Sequence, residues 1–498
     1  MVCPAIRSGD HPNEMTKRAP HPWLVLVLVC LAQFMVVLDA TVVNVALPSI
    51  QQDLGMSESE LQWVVNAYTL VFGGFLLLGG RAGDMIGRKR VFLAGLVVFT
   101  SASLLDGLAQ SSTWLIVARG VQGLGAALIS PAALSIITTT FESEADRTKA
   151  LGVWASIAAG GGAVGLVLGG ALTQAFSWPW VFFVNVPVGI VTFILASRIV
   201  PESRAETEHR AFDVAGAVTV TAGLIALVYA IERTGSVGWT SPQTLGVGAA
   251  AIVLLSLFVL VEQRSKAPLV RLSIFRVPTL RAANVTMLFV MSGLFAMFFF
   301  NSLYLQRVLG YTPLKSGLAF LPFTAGIVVG AGLAQQLGKR IGLRMCAVLG
   351  MAIAAGGIFW LLRLDPGSSY LPDLLPCILP TSIGMGLAFV PLTLIATGGL
   401  PNEDAGLASG LFNTSQQIGG ALGLAILSTI ATGRTTDMLD AAGSHPSAVE
   451  KAEALVHGFV GAFAGAAILV AAGAVVLLVL LKPRDLKSLA VEPAAAEA

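Results

Sequence analysis

A chain of 498 residues is long enough for two soluble domains, yet 55% of it is hydrophobic and only 12% is charged. A soluble domain carries roughly 25% charged residues, so the composition points to lipid instead. The basic and acidic residues, 30 against 28, nearly cancel and argue against a nucleic-acid partner. Four scattered cysteines (Cys3, Cys30, Cys346, Cys377) form no CxxC and no framework spacing, and no His–Cys–Asp grouping suggests an enzyme or a metal centre.

Residues 1–22 are polar and lack a small-residue cleavage site, which predicts a retained N-terminal tail. The apolar run that follows is too long for a signal-peptide core and reads as a first membrane helix. Fourteen apolar segments then succeed one another near 23–47, 61–80, 91–109, 114–137, 149–171, 180–200, 213–231, 244–262, 282–305, 316–338, 343–362, 372–396, 407–432 and 456–481. Each approaches the roughly 20 residues that cross a bilayer. The expected fold is therefore an all-α integral membrane protein of fourteen transmembrane helices. Counted with the N-terminus inside, 23 Lys and Arg lie on the inner side and 6 on the outer, and Arg119 falls within a span. That bias predicts cytoplasmic termini at both ends.

The chain repeats itself at long range. Gly83-Asp-Met-Ile86-Gly87-Arg-Lys89 is echoed by Gly338-Lys-Arg-Ile341-Gly342-Leu-Arg344 at an offset of 255, and Gly161–Gly165 by Gly419–Gly423 at 258. Two matches at nearly one offset imply two parallel six-helix halves, 23–200 and 282–481. A linker with two extra spans (201–281) lies between them and a second cytoplasmic tail (482–498) follows. Parallel halves with a substrate site at their interface describe the facilitator type of transporter.

Individual residues then suggest work. Asp39 in span one has no ionic partner in its own helix, and burying an unpaired carboxylate is costly. It is placed to carry a coupling proton or to face a cationic substrate. Arg119, about one and a half turns into span four, needs acceptors, and Gln122 shares its face. Asp39 and Asp106 approach that depth from neighbouring spans; Asp106 reads equally well as wet and external. Between spans two and three, Gly80-Arg-Ala-Gly-Asp84-Met-Ile-Gly87-Arg88-Lys-Arg90 packs four cations, an aspartate and three glycines into one turn. Gly80, Asp84, Gly87 and Arg88 are expected to form a cytoplasmic latch, joined by Glu142 at the inner end of span four.

Span five presents Gly161, Gly165 and Gly169, with Gly170 beside them, a small face for close helix contact. The formal GxGxxG there lies inside a membrane helix with no preceding strand, and is no dinucleotide site. No phosphate loop is present either, so an ion gradient, with no bound cofactor, is the expected source of energy. A mainly apolar cavity is expected between spans 1, 2, 4 and 5 and spans 9, 10, 12 and 13. Its candidate lining is Trp63, Asn66, Tyr68, Gln122 and Trp154 from the first half and Asn284, Asn301, Tyr304, Asn413 and Gln416 from the second.

The Gly80–Arg90 loop resembles the signature between spans two and three of the major facilitator superfamily. Leu38-Asp39 through Pro48, Arg119–Gly125, Trp63-Val-Val-Asn-Ala-Tyr68, Trp180 through Pro187, Tyr304-Leu-Gln306 with Gly310-Tyr311, and Asn413–Gly420 narrow the resemblance to its fourteen-span drug:proton antiporters. That resemblance implies export of hydrophobic, often cationic, drugs or antibiotics in exchange for protons, from a bacterial cytoplasmic membrane and by a monomer. The alternative is a dedicated exporter of one metabolite, siderophore or lipid. A non-transporting sensor or scaffold is disfavoured by the buried charges. The chain departs from the family pattern at Leu166, where proline is usual, and in the absence of an acidic residue from Ser316 to Gly338.

Overall fold

The computed structural model describes residues 21–141, 143–204, 213–265, 268–398, 400, 402–443 and 445–489. Long helices occupy all fourteen expected places. In the first half they are α1 (Pro22–Leu54), α2 (Glu58–Ile86), α3 (Arg88–Gly107), α4 (Ser112–Thr140), α5 (Glu144–Ala175) and α6 (Trp180–Ile199). The inserted pair is α7 (Val214–Val237) and α8 (Pro242–Arg264). The second half comprises α9 (Pro278–Val308), α10 (Pro313–Ile341), α11 (Leu343–Arg363), α12 (Tyr370–Thr397), α13 (Asn402–Ala442) and α14 (Ala448–Leu480). Among the described residues, twelve of these helices are long and apolar enough to cross a membrane; α5 and α13 are the two outside that set.

Local chemistry sets the boundaries. Ser57 and Ser447 close capping boxes with Glu60 and Glu450, satisfying the first free N–H groups of α2 and α14. Ser111, Asp213, Ser241 and Thr312 cap α4, α7, α8 and α10 with their side-chain oxygens. The turns after α2 and α10 use Gly87 at φ 125 and Gly342 at φ 80, a backbone region unfavourable to residues with a Cβ. These are the two glycines that the repeat places at an offset of 255. α7 runs past its expected end near 231 and draws Glu232 inside the protein.

Packing repeats as the sequence does. α2 crosses α4 where Gly79 meets the Ala127 carbonyl and Gly123 the Tyr68 carbonyl, and α10 crosses α12 where Gly330 meets Ile383 and Gly386 meets Ile327. α3 leans on α4 through Gly125, and α11 on α12 through Gly350 and Gly384. Small residues let backbones approach where lipid gives helices no hydrophobic reason to associate. Three of the four glycines in the α5 face lie on α1: Gly161 on Phe34 and Val37, Gly165 on Leu38 and Thr41, Gly169 on Val42. Gly170 instead reaches the other half, against Pro313 and Leu314 of α10.

Two lateral seams join the halves. In one, α5 meets α10, with Leu166 directly over Gly317. In the other, α2 meets α13: Thr414 Oγ1 donates to the Gly73 carbonyl at 3.2 Å, and the inserted α7 packs on both helices. The halves also meet where α1 turns into α2, against the end of α9. There Ser302 Oγ donates to Asn44 O at 2.8 Å and Gln306 Nε2 to Val45 O at 2.9 Å. Arg307 pairs with Glu58 at 2.7 Å and also reaches Gln51. At the opposite end, no atom comes within 4 Å of the place a Cβ would take at Gly152 and Gly160 on α5, or at Gly332 on α10.

Candidate transport site: a buried ion-pair network in the first half

The first-half bundle holds a charge cluster sealed from its surroundings. Asp39 is 0% exposed and Arg119 2%. Arg119 Nη1 donates to Asp39 Oδ2 at 2.6 Å and to Gln122 Oε1 at 2.6 Å, while its Nε donates to the Val64 carbonyl at 3.1 Å. Gln122 Nε2 and Asn185 Nδ2 both donate to Asp39 Oδ1, at 2.8 and 3.0 Å. Asn185 also donates to Ser103 Oγ at 3.0 Å, and Ser103 to the Phe182 carbonyl at 2.9 Å. The guanidinium lies 4.3 Å from the centre of the Tyr68 ring, a cation–π contact in a desolvated place. Five helices, α1, α2, α3, α4 and α6, thus meet at one carboxylate–guanidinium pair.

Asp106 belongs to the same region but not to the same bonding pattern. It is 0% exposed, and neither carboxylate oxygen has a hydrogen-bond partner among the described residues. The wet, external position that its sequence context also allowed does not hold. Asp39 itself faces into the bundle. The α1 positions nearer the interface between halves are Ala40, which is exposed, and Asn44, whose carbonyl receives Ser302. A substrate in the central path would meet Asp39 only through the helix that carries it.

The expected cavity lining disperses. Tyr68 and Gln122 join the ion-pair network. Asn66 is buried and donates to Glu232 at 3.2 Å, with Trp63 half-buried beside the Tyr229 ring. Trp154 packs against the first-half core. Asn284 donates to Leu280 O and accepts from Ser415 Oγ at 2.8 Å; Asn301 lies fully buried against Met297. Tyr304 donates its hydroxyl to Asp365 O at 2.7 Å. Asn413 is exposed and Gln416 half-buried, on the half-open face of α13. Hydrogen bonds between helices engage Asn66, Gln122 and Asn284, while Asn301 and Asn413 bond within their own helices and the Tyr68 hydroxyl and Trp154 Nε1 have no partner among the described residues.

The expected latch is anchored within its own half. Arg88 Nη2 bonds Asp84 Oδ1 at 3.1 Å, and the Arg88 amide donates to Ser203 O at 3.0 Å. Glu202 accepts from the Lys89 amide at 3.2 Å and pairs with Arg90 at 3.5 Å. Gly80 abuts Pro131, and a Cβ on Gly87 would overlap the Glu202 carboxylate. The segment after α6 is therefore the partner of the α2–α3 turn. Glu142 lies outside the described residues.

Sequence reasoning missed Asn185, Ser103, Glu202 and Glu232. Asn185 stood in the Trp180–Pro187 run, where an amide amid apolar residues at a helix break was the available signal.

Twelve helices long and apolar enough to cross a membrane, in two similarly packed sets with charges sealed inside one, describe an integral membrane protein of the transporter type of fold. The sequence profile of the Major Facilitator Superfamily matches residues 29–424, and the chain belongs to that family. It is 40% identical to the puromycin resistance protein of Streptomyces alboniger, over 93% of this chain and 92% of the relative. It is 41% identical to the cephamycin export protein of Amycolatopsis lactamdurans, over 88% and 90%. A solved peptide transporter shares the fold at a TM-score of 0.66 and 14% identity, covering 93% of this chain and 95% of that one.

Proposed function

We propose that the protein exports hydrophobic drugs or antibiotics across a bacterial cytoplasmic membrane in exchange for protons, as a monomer with fourteen spans and both termini inside. The halves 23–200 and 282–481 rock about the two seams. The contacts among Asn44, Val45, Glu58, Ser302, Gln306 and Arg307 then close the external end of an inward-open state. The observation that carries the reading is the Asp39–Arg119 pair beside an unpartnered Asp106. One guanidinium faces two carboxylates, so a proton arriving on either changes the attraction that holds α1 against α4. Because α1 also touches α9 through Asn44, that change reaches the interface between halves.

Energetics support the reading. One charge crossing 100 mV yields roughly 2.3 kcal/mol, and one pH unit adds roughly 1.4 kcal/mol per proton. Together they sustain a gradient of a neutral substrate of roughly several hundred-fold.

The test uses everted vesicles energised acid inside and loaded with an interior-pH dye. Adding puromycin, a cephamycin, hydrophobic cations and weak acids should release protons with the native protein and not with Asp39→Asn. A response to one compound alone would favour the dedicated exporter, a reading to which the single-compound names of the two relatives lend weight. A flat response to the whole panel from folded, inserted protein would overturn proton exchange.

A further inference from the structure

Glu232 of α7 is 8% exposed and lies five residues before the helix ends at Val237. Its Oε1 accepts from Asn66 Nδ2 at 3.2 Å, and the Trp63 side chain bonds the same carboxylate. Its Oε2 has no partner among the described residues, and neither does Oδ1 of the fully buried Asn66. Two orphan acceptors therefore sit together in an apolar cluster that includes Leu70, Leu224, Val228 and Ala425.

Among the described residues, no cation donates a hydrogen bond to Glu232. On α7 itself, Arg233 turns to Gln243 at 3.0 Å and to the Tyr229 ring at 5.8 Å. α2 offers Trp63 and Asn66 here, while Glu58 and Glu60 near its start are engaged by Arg307 and by Ser57 and Ser112. α8 offers Gln243, and its carboxylate Glu262 lies at the opposite end of that helix. α13 offers Thr429, which donates to Ile231 O at 3.4 Å, and its Arg434 and Asp437 are exposed further along. An unanswered carboxylate in apolar surroundings is costly, and taking up a cation relieves the cost. With the Trp63 and Tyr229 rings 6.4 Å apart beside it, a proton is the cation that needs no room.

Its position gives that proton a consequence. Glu232 stands where the inserted pair meets both halves, at the α2–α13 seam, and Gly74 of α2 is already pressed onto Thr221 of α7. We propose that Glu232 is a second proton-accepting site of the transporter, and that the inserted pair α7–α8 takes part in coupling through it. Protonation changes the hold of α7 on Asn66 and Trp63, and so the ease with which α2 slides past α13.

The consequence for transport rests on the proton-coupled reading above; the first test does not. The full-length protein is reconstituted in lipid, and infrared difference spectra are recorded between acid and alkaline buffer. Glu232→Gln preserves the side chain's size and an acceptor oxygen for Asn66, and removes the titration while placing an amide NH2 group where the second carboxylate oxygen stood. A component of the protonated-carboxyl C=O stretch should vanish in Glu232→Gln, shift in Glu232→Asp and survive in Asp39→Asn. In vesicles, puromycin-driven proton release by Glu232→Gln should lose its pH dependence over the range in which that component titrates. Superimposable native and Glu232→Gln spectra overturn the proposal. So does a component that responds to tetraphenylphosphonium but not to pH, which would make the site one for an organic cation. Were Glu232→Gln to misfold, the shift or its absence in Glu232→Asp decides.

Discussion

Asp39→Asn is the sharpest perturbation of the network, because it keeps the side chain's size while removing its charge and replacing one acceptor oxygen with a donor. The native carboxylate accepts three hydrogen bonds, from Arg119, Gln122 and Asn185, at 2.6, 2.8 and 3.0 Å. An asparagine offers one acceptor oxygen and adds two N–H donors, so at least one of its ends must face a donor. Arg119, 2% exposed, keeps Gln122 Oε1 and the Val64 carbonyl as acceptors but loses its bonded counter-charge, with the unbonded Asp106 carboxylate still facing it. Removing one member of a buried ion pair costs about 3–5 kcal/mol, whereas an exposed pair contributes about 0–1 kcal/mol. Asp146→Asn, which breaks the exposed Lys149–Asp146 contact at 3.4 Å, is the matched control. Denaturant unfolding of the purified protein should show the larger loss for Asp39→Asn and almost none for the control. The pair Asp39→Asn/Arg119→Gln, which removes both charges of the bonded pair while leaving Asp106 without the guanidinium, should recover part of that loss. The coupling energy expected between the two sites is about 2 kcal/mol or more. Puromycin-driven proton release should stay lost in the double variant, since stability returns without the titrating pair. If the single variant matches the native protein, or the two losses simply add, the ion-pair argument is refuted.

Three further outcomes follow from the geometry. Gly87→Ala places a Cβ at φ 125 and against Glu202; it should cost about 1–3 kcal/mol, and Glu202→Ala should relieve the clash but not the backbone strain, as thermal midpoints of the three variants would show. Gly170→Leu forces a side chain into the Pro313 carbonyl and should wedge the α5–α10 seam. Export would be lost in a folded protein, and Ser302→Cys would become reactive to an impermeant maleimide from outside; an unchanged labelling rate would count against the seam. Arg307→Glu sets two carboxylates together at the 2.7 Å contact with Glu58 and should abolish export while changing stability by less than about 1 kcal/mol; adding Glu58→Arg should restore transport, which a puromycin survival assay reads directly.

The helices were legible because a bilayer accepts few backbone solutions, and runs of roughly 20 apolar residues admit one of them. The Asp39–Arg119 contact was legible for a related reason: two opposite charges in neighbouring spans have nowhere else to go. Span seven was expected near 213–231, yet α7 continues to Val237 and buries the Glu232 carboxylate. The cavity was least legible. Asn284, Asn301 and Tyr304 carry the polar groups a binding site needs, and the same groups satisfy ordinary helix contacts. No spacing in one sequence separates those uses. Asn185 shows the converse, since its value to Asp39 lies in three-dimensional proximity across 146 residues.

The distribution of buried charge argues for a division of labour between the halves. Among the described residues, the buried ionised types are Asp39, Asp106 and Arg119 in the first half and Asp213, Glu232 and Glu262 around the inserted pair. The buried polar side chains of the second half, among the described residues, are neutral: Asn284, Asn301, Thr286, Thr381 and several serines. The two halves share their packing but not their electrostatics. A half with no buried charge among its described residues offers a proton no sealed site like Asp39, so on the proposed mechanism it responds to protonation by being moved against. An apolar wall also suits a hydrophobic cargo, which would lose its advantage beside an unpaired charge. If the proposed proton exchange holds, titration in the first half and the inserted pair, transmitted across the α1–α9 and α2–α13 contacts to the second half, would keep proton movement and cargo movement chemically separate while mechanically linked.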